Sequence, residues 1–316
     1  MADEAPCTWV VSKVEVPDGY DPGLTFVRAT AGGGDYSGVV RRPGTMTEDL
    51  VLWTNGKPRV VPEVAHLQWL QVHDENAAGT VLLSGEIVGE QRWVVYLYSG
   101  GHQGAGTVTE VLPPAGYQLG SGVAINDRGD VLVRGRRILD GQFVGVLFSP
   151  IAAGPQIVDQ TAGLPYGLDE DGTVLLRGHS GKPGALWRNG VLTYLEGDGS
   201  TTFADAIAGG KTVGLKILGA APQSQGLVWD RDGSVRELED GGAARAINAR
   251  GLIVGSRSTM NGPTAVWRGT KLLAELPYPD GVWEYDTQFV VSDDNQVFST
   301  PRRYWPLRWT CEREGK

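Results

Sequence analysis

Ala124-Ile125-Asn126-Asp127-Arg128-Gly129-Asp130-Val131-Leu132-Val133 decides how this chain is read. An apolar run ends in an Asn-Asp-x-Gly turn, and a second apolar run leaves it. Asn and Gly tolerate the left-handed backbone that a tight hairpin needs. Nineteen residues after Gly129 the segment Leu147-Phe148 follows. The unit returns at Ala246-Ile247-Asn248-Ala249-Arg250-Gly251-Leu252-Ile253-Val254, with Val266-Trp267 behind it. A weaker copy, Gly167-Leu168-Asp169-Glu170-Asp171-Gly172-Thr173-Val174-Leu175, precedes Leu186-Trp187. A repeat this short cannot bury its apolar faces alone, so it must stack on its neighbours.

Working outward, an apolar-aromatic anchor recurs at Leu52-Trp53, Leu97-Tyr98, Leu147-Phe148, Leu186-Trp187, Val228-Trp229, Val266-Trp267 and Arg308-Trp309. The spacings are 45, 50, 39, 42, 38 and 42 residues. That period belongs to four-stranded propeller blades. Hairpin signals follow several anchors: Asn55-Gly56, Asn189-Gly190, Asp232-Gly233 and Arg268-Gly269. The expectation is an all-β, seven-bladed β-propeller with four-stranded antiparallel blades. We expect a single domain, 1–316, with blades at about 23–64, 65–116, 117–162, 163–199, 200–241, 242–280 and 281–311. The last unit stops at its third strand. The orphan segment at residues 8–16 would supply the fourth and close the ring, removing two free sheet edges.

Closure would put Cys7 and Cys311 side by side on neighbouring strands, where a disulfide is geometrically feasible. Two free thiols are the alternative. A structural bridge points to an oxidising compartment. Residues Met1-Ala2-Asp3-Glu4-Ala5 are polar and acidic, unlike a signal peptide. Either the protein is cytoplasmic, or Met1 begins a mature exported form. No apolar run approaches the ~20 residues of a membrane helix. The net charge of -9 and the lack of a basic stripe argue against a nucleic-acid partner. We expect a monomer without cofactor.

Catalytic signatures are missing. His66, His73, His102 and His179 show no metal-ligand spacing, and no metal is expected. The Asp169-Glu170-Asp171-Gly172 and Asp230-Arg231-Asp232-Gly233 turns look like pieces of calcium loops but lack the downstream Glu. Turn chemistry explains them. The Arg128-Gly129-Asp130 tripeptide lies inside the repeated hairpin, where adhesion would be a coincidence. Gly100-Gly101-His102-Gln103-Gly104-Ala105-Gly106 lacks the Lys-Ser/Thr of a phosphate cradle and suits a long flexible hairpin.

The remaining candidate is positional. Segments entering the innermost strands should gather at a channel mouth. They offer Gln68, Trp69, Tyr117, Gln118, Tyr166, Phe203, Asp205, Arg245, Trp283, Tyr285 and Asp286. The bulky segment at residues 283–288 is taken as the inner strand of the seventh blade. Aromatic faces beside Arg and Asp suit a small polar-aromatic or sugar-like ligand. The structural alternative is that these side chains merely plug and solvate the channel.

The Ala-Ile-Asn-Asp-x-Gly-x-Val core, the apolar-Trp anchor and the Asn-Gly hairpin together resemble the HAF-type repeats of extracellular bacterial proteins. Those are propeller-like repeats common in high-GC actinobacteria. The match is good in units three and six and fair in unit four. Unit five lacks the Asn, having Ile207-Ala208-Gly209-Gly210, and units one and seven match in outline. The resemblance implies the fold and export, not a catalytic site. Two functions are therefore expected. One is a secreted or cell-surface propeller that binds a small molecule or a protein partner at the channel mouth. The other is a cyclase, lyase or hydrolase of small-molecule metabolism, with Asp205 or Asp286 as base and Arg245 holding an oxyanion or carboxylate.

Overall fold

A computed structural model of the chain describes residues 7–158, 160–178, 184–198, 201–219, 222–282, 288–301 and 304–312. Seven four-stranded antiparallel sheets form the blades of a ring. Blade one runs through Thr25–Gly32, Asp35–Arg41, Glu48–Thr54 and Lys57–Val60 from the inside out. The inner strands of blades two to six are Leu67–Glu75, Tyr117–Ile125, Leu164–Leu168, Thr202–Ala208 and Gly241–Ile247. Blade seven is Phe289–Val291, Val297–Ser299 and Leu307–Glu312, completed by the N-terminal strand Thr8–Lys13. Trp9 pairs with Cys311 and Val11 with Trp309. Cys7 and Cys311 are bridged, with Cα atoms 5.5 Å apart.

The inner strand of blade seven is a correction. It is Phe289–Val291, and residues 283–287 lie outside those described. Val291-Ser292-Asp293-Asp294-Asn295-Gln296-Val297 is a further copy of the repeated turn, with Ser292 in place of Asn. Asn295 takes the left-handed φ of 64° where Gly129 has 79°. Glu75-Asn76-Ala77-Ala78-Gly79-Thr80-Val81 is another copy, in blade two.

The anchors pack between blades. Trp53, Tyr98, Trp229, Trp267 and Trp309 are fully buried. Four indoles reach backward around the ring to the chain leaving the preceding outer strand. Trp53 Nε1 donates to Glu15 O (2.6 Å), Trp229 to Glu196 O (2.8 Å), Trp267 to Glu239 O (2.8 Å) and Trp309 to Pro277 O (2.6 Å). The first of these crosses from blade one to the N-terminal strand, so the same clamp operates at the closure.

The repeated Asn works at the other end of the interface. Asn126 Oδ1 accepts the N–H of Asp130 (2.9 Å), which closes its own hairpin. Its Nδ2 donates to Asp169 O of the next blade (3.2 Å). Asn76 and Asn248 do the same, donating to Asn126 O and Ser292 O. Both ends of one buried amide are thereby satisfied, which is why this residue type recurs.

Candidate functional site

The two mouths of the central channel carry opposite charge. One is ringed by the turns between first and second strands and encloses a cavity of about 170 Å³. Asp74, Asp127, Asp169, Glu170 and Asp293 lie around it. Most of these carboxylates accept backbone N–H groups. Asp127 Oδ1 accepts from Ala77 (2.6 Å), Glu170 Oε2 from Asp127 (2.9 Å), and Asp293 Oδ1 from Ala249 (2.9 Å). Asp169 accepts from Gly209 and Gly210, both at 2.8 Å. This acidic belt ties blade to blade. The Asp-rich turns are likewise engaged: Asp171 pairs with Arg188 and Arg231, and Asp230 with Lys211 and Arg236. Arg128 pairs with Asp130 and is not displayed as an adhesion tripeptide.

Asp74 stands apart from the belt. Its carboxyl accepts N–H bonds from Ile125 (3.0 Å) and Glu75 (2.9 Å), yet burial pushes it up from 3.8 to about 7. A carboxyl with a raised native pKa binds a proton that the unfolded chain has already released. Stability must therefore fall as pH climbs from about 4 to 7, and level off above that. Between pH 5 and pH 8 the wild type should lose about 2 kcal/mol relative to Asp74→Asn, which cannot ionise. Urea denaturation of both proteins at the two pH values measures this. Parallel profiles would show that channel water solvates Asp74 fully.

The Gly-rich segment is the long hairpin loop that the sequence suggested, joining the paired strands Arg92–Ser99 and Thr107–Glu110. It forms a short 3-10 turn, Gly101–Gln103, that buries His102. His102 Nε2 lies 2.6 Å from Glu75 Oε1, and Nδ1 lies 2.9 Å from Thr54 Oγ1. His102 thus pins the segment across the junction of blades one and two.

The opposite mouth, into which the inner strands enter, is cationic and aromatic. Arg245 Nη1 lies 2.8 Å from Asp205 Oδ2, and Arg177 Nη2 lies 3.1 Å from Asp205 Oδ1. The Arg177 guanidinium sits 4.7 Å from the Tyr166 ring centre and 5.2 Å from that of Phe203. Arg134 lies 6.0 Å from the Tyr166 ring centre and donates Nε to Pro165 O (3.0 Å). Four of the expected residues, Tyr166, Phe203, Asp205 and Arg245, are thus brought together. His73 lies nearby with Nε2 2.7 Å from Ser84 Oγ. Burial, reinforced by the Arg134 charge, lowers His73 to about 4, so it is neutral at pH 7.

The rest of the expected mouth is dispersed. Gln118 lines a separate cavity of about 470 Å³ between blades two and three. Tyr117 packs against the core of blade three. Trp69 sits on an irregular stretch of its strand with φ 56° and is 59% exposed, and Gln68 precedes it. Trp283, Tyr285 and Asp286 lie outside the described residues. Sequence reasoning overlooked Arg134 and Arg177, which come from second strands. The signal was present: Leu132-Val133-Arg134-Gly135 and Leu175-Leu176-Arg177-Gly178 place Arg at equivalent points of consecutive blades.

No family model matches the chain, and no curated protein matches it. Solved structures do. The β-propeller domain of the Trilobed protease from Pyrococcus furiosus aligns at 12% identity, over 93% of this chain and 94% of that one, with a TM-score of 0.58. That domain is described as having an open velcro topology, whereas here the N-terminal strand closes the last blade. A prolyl endopeptidase aligns at 14% identity and TM-score 0.53, over 87% of this chain and 46% of that one. Prolyl oligopeptidase B from Galerina marginata aligns at 8% and 0.52, over 92% and 45%. The chain spans less than half of either peptidase. At these identities the likeness establishes the β-propeller fold alone.

Proposed function

We propose that this propeller is a binding protein that takes a small molecule, or a segment of a protein partner, at the cationic-aromatic mouth. The observation that carries this reading is the preformed Tyr166–Arg177–Phe203–Asp205–Arg245 cluster. There Asp205 orients two guanidiniums beside two aromatic faces. Preorganised donors next to ring faces favour planar or polar ligands at low ordering cost. Export to the cell surface or beyond, in keeping with the HAF-type resemblance, is supported by the disulfide. Enzymatic use as a cyclase, lyase or hydrolase would need Asp205 or Asp286 to accept a proton. Asp205 is already engaged by two guanidiniums, which suits an orienting role better.

Thermal shift across a metabolite panel tests the reading. A ligand at a hundredfold excess over its Kd stabilises by about 2.7 kcal/mol. That should raise Tm by about 5 °C in the wild type. Tyr166→Ala and Arg245→Gln should abolish the rise. Shifts that are indifferent to both substitutions would place the ligand elsewhere.

A further inference from the structure

The cavity between blades two and three is walled by apolar and donor groups that are not matched to each other. Leu119, Trp93 and Phe143 supply apolar surface, and Phe143 is 66% exposed with nothing covering it. Trp93 and Arg134 line the same space. The indole Nε1 of Trp93 is buried and has no hydrogen-bond partner among the described residues. Arg134 spends only Nε on Pro165 O, and no carboxylate pairs with it among the described residues. Burial lowers the Arg134 guanidinium below its ordinary value. A buried donor left unpaired is costly, and a half-buried cation without a counter-charge pays part of the same desolvation cost. Elsewhere this acidic protein pairs its arginines with carboxylates freely: Arg42 with Asp49, Arg92 with Glu110, Arg257 with Asp240 and Glu275. The other polar side chains that line the cavity are Gln71, Gln118, Ser121 and Arg136, and none of them is an acid.

We propose that this cavity binds a small organic carboxylate, with the N–H groups of Arg134 that Pro165 O leaves unused receiving its oxygens and its apolar body lying against Leu119, Trp93 and Phe143. This rests on the mouth reading and extends it, because Arg134 also touches Tyr166 of the main cluster. A carboxylate supplies both the missing acceptor and the missing charge. An alcohol or amide supplies only the first. A cavity of about 470 Å³ is of the size that holds small-molecule ligands.

The test is calorimetric titration of the full chain with 4-phenylbutanoate and indole-3-acetate, each against its primary amide. The carboxylates should bind roughly 10-fold or more tighter than the amides, the usual scale for a charge-assisted hydrogen bond. Arg134→Gln should bring acid and amide within about twofold of each other, while Arg134→Lys keeps part of the preference. Phe143→Ala, an exposed change that leaves folding intact, should weaken acids and amides alike. Equal affinity for acids and amides, or no binding of either, overturns the carboxylate assignment. Acid binding unaffected by Arg134→Gln and Phe143→Ala overturns the cavity. Neither result touches the mouth reading, which stands or falls on Tyr166→Ala and Arg245→Gln.

Discussion

Replacing Cys7 and Cys311 together by serine should destabilise the ring by about 3–5 kcal/mol, the largest effect expected of any change at its rim. The bridge joins residues 304 apart in sequence and so constrains nearly the whole unfolded chain. Loop-closure entropy grows only slowly with length, but here the loop is close to the longest this chain could form. The location matters as much as the length. The two innermost strands of blade seven are three residues each, Phe289–Val291 and Val297–Ser299. Its outer half is the six-pair ladder between Thr8–Lys13 and Leu307–Glu312. Opening that ladder exposes two strand edges and uncovers Trp309 and Trp9. Urea denaturation with and without reductant, alongside the double serine variant, reads the effect. An unchanged midpoint would assign closure to the ladder and the inter-blade core alone.

Trp229→Ala should cost about 3–5 kcal/mol, the usual loss for truncating a fully buried large aromatic. Trp229 is 0% exposed and packs with Leu175, Leu186, Leu195, Ala204 and Leu227, which join blades four and five. The substitution also leaves Glu196 O without its indole donor. Trp229→Phe separates the two losses. It keeps most of the packing and removes only the hydrogen bond, so it should cost about 1–2 kcal/mol. Equal costs for both variants would mean that the clamp, not the packing, holds blade four to blade five. Because the Trp267 interface repeats this geometry, the same pair of substitutions there should give a similar ratio.

Much of the ring was legible because each blade repeats one solution to one problem. Asn126 and Asn248 are needed where an amide must close a hairpin and reach the next blade, and the tryptophans where an aromatic must fill the wedge between sheets. The inner strand of blade seven was misplaced because Ser292 and Asn295 stand where other blades have Asn and Gly. A hydroxyl that accepts the N–H of Gln296 and an Asn in the left-handed region do the same work with different letters. The Gly100–Gly106 stretch looked loose because composition does not reveal that His102 anchors it to Glu75 and Thr54.

The amino-acid sequence by itself determined the period, the blade count and the expected closure, and it put Cys7 beside Cys311, while the structure decided between a bridge and two free thiols. The period, count and closure follow from local turn chemistry and from where the chain ends fall within the repeat. Only the tertiary structure brought Arg134 and Arg177, from second strands, to the Asp205 and Arg245 that the inner-strand pattern had already put at one mouth. Arg134, Arg177, Asp205 and Arg245 come from four different blades, and their grouping depends on how far each blade is rotated about the common axis. No local pattern encodes that rotation, because it is set by side-chain packing between sheets that are distant in sequence.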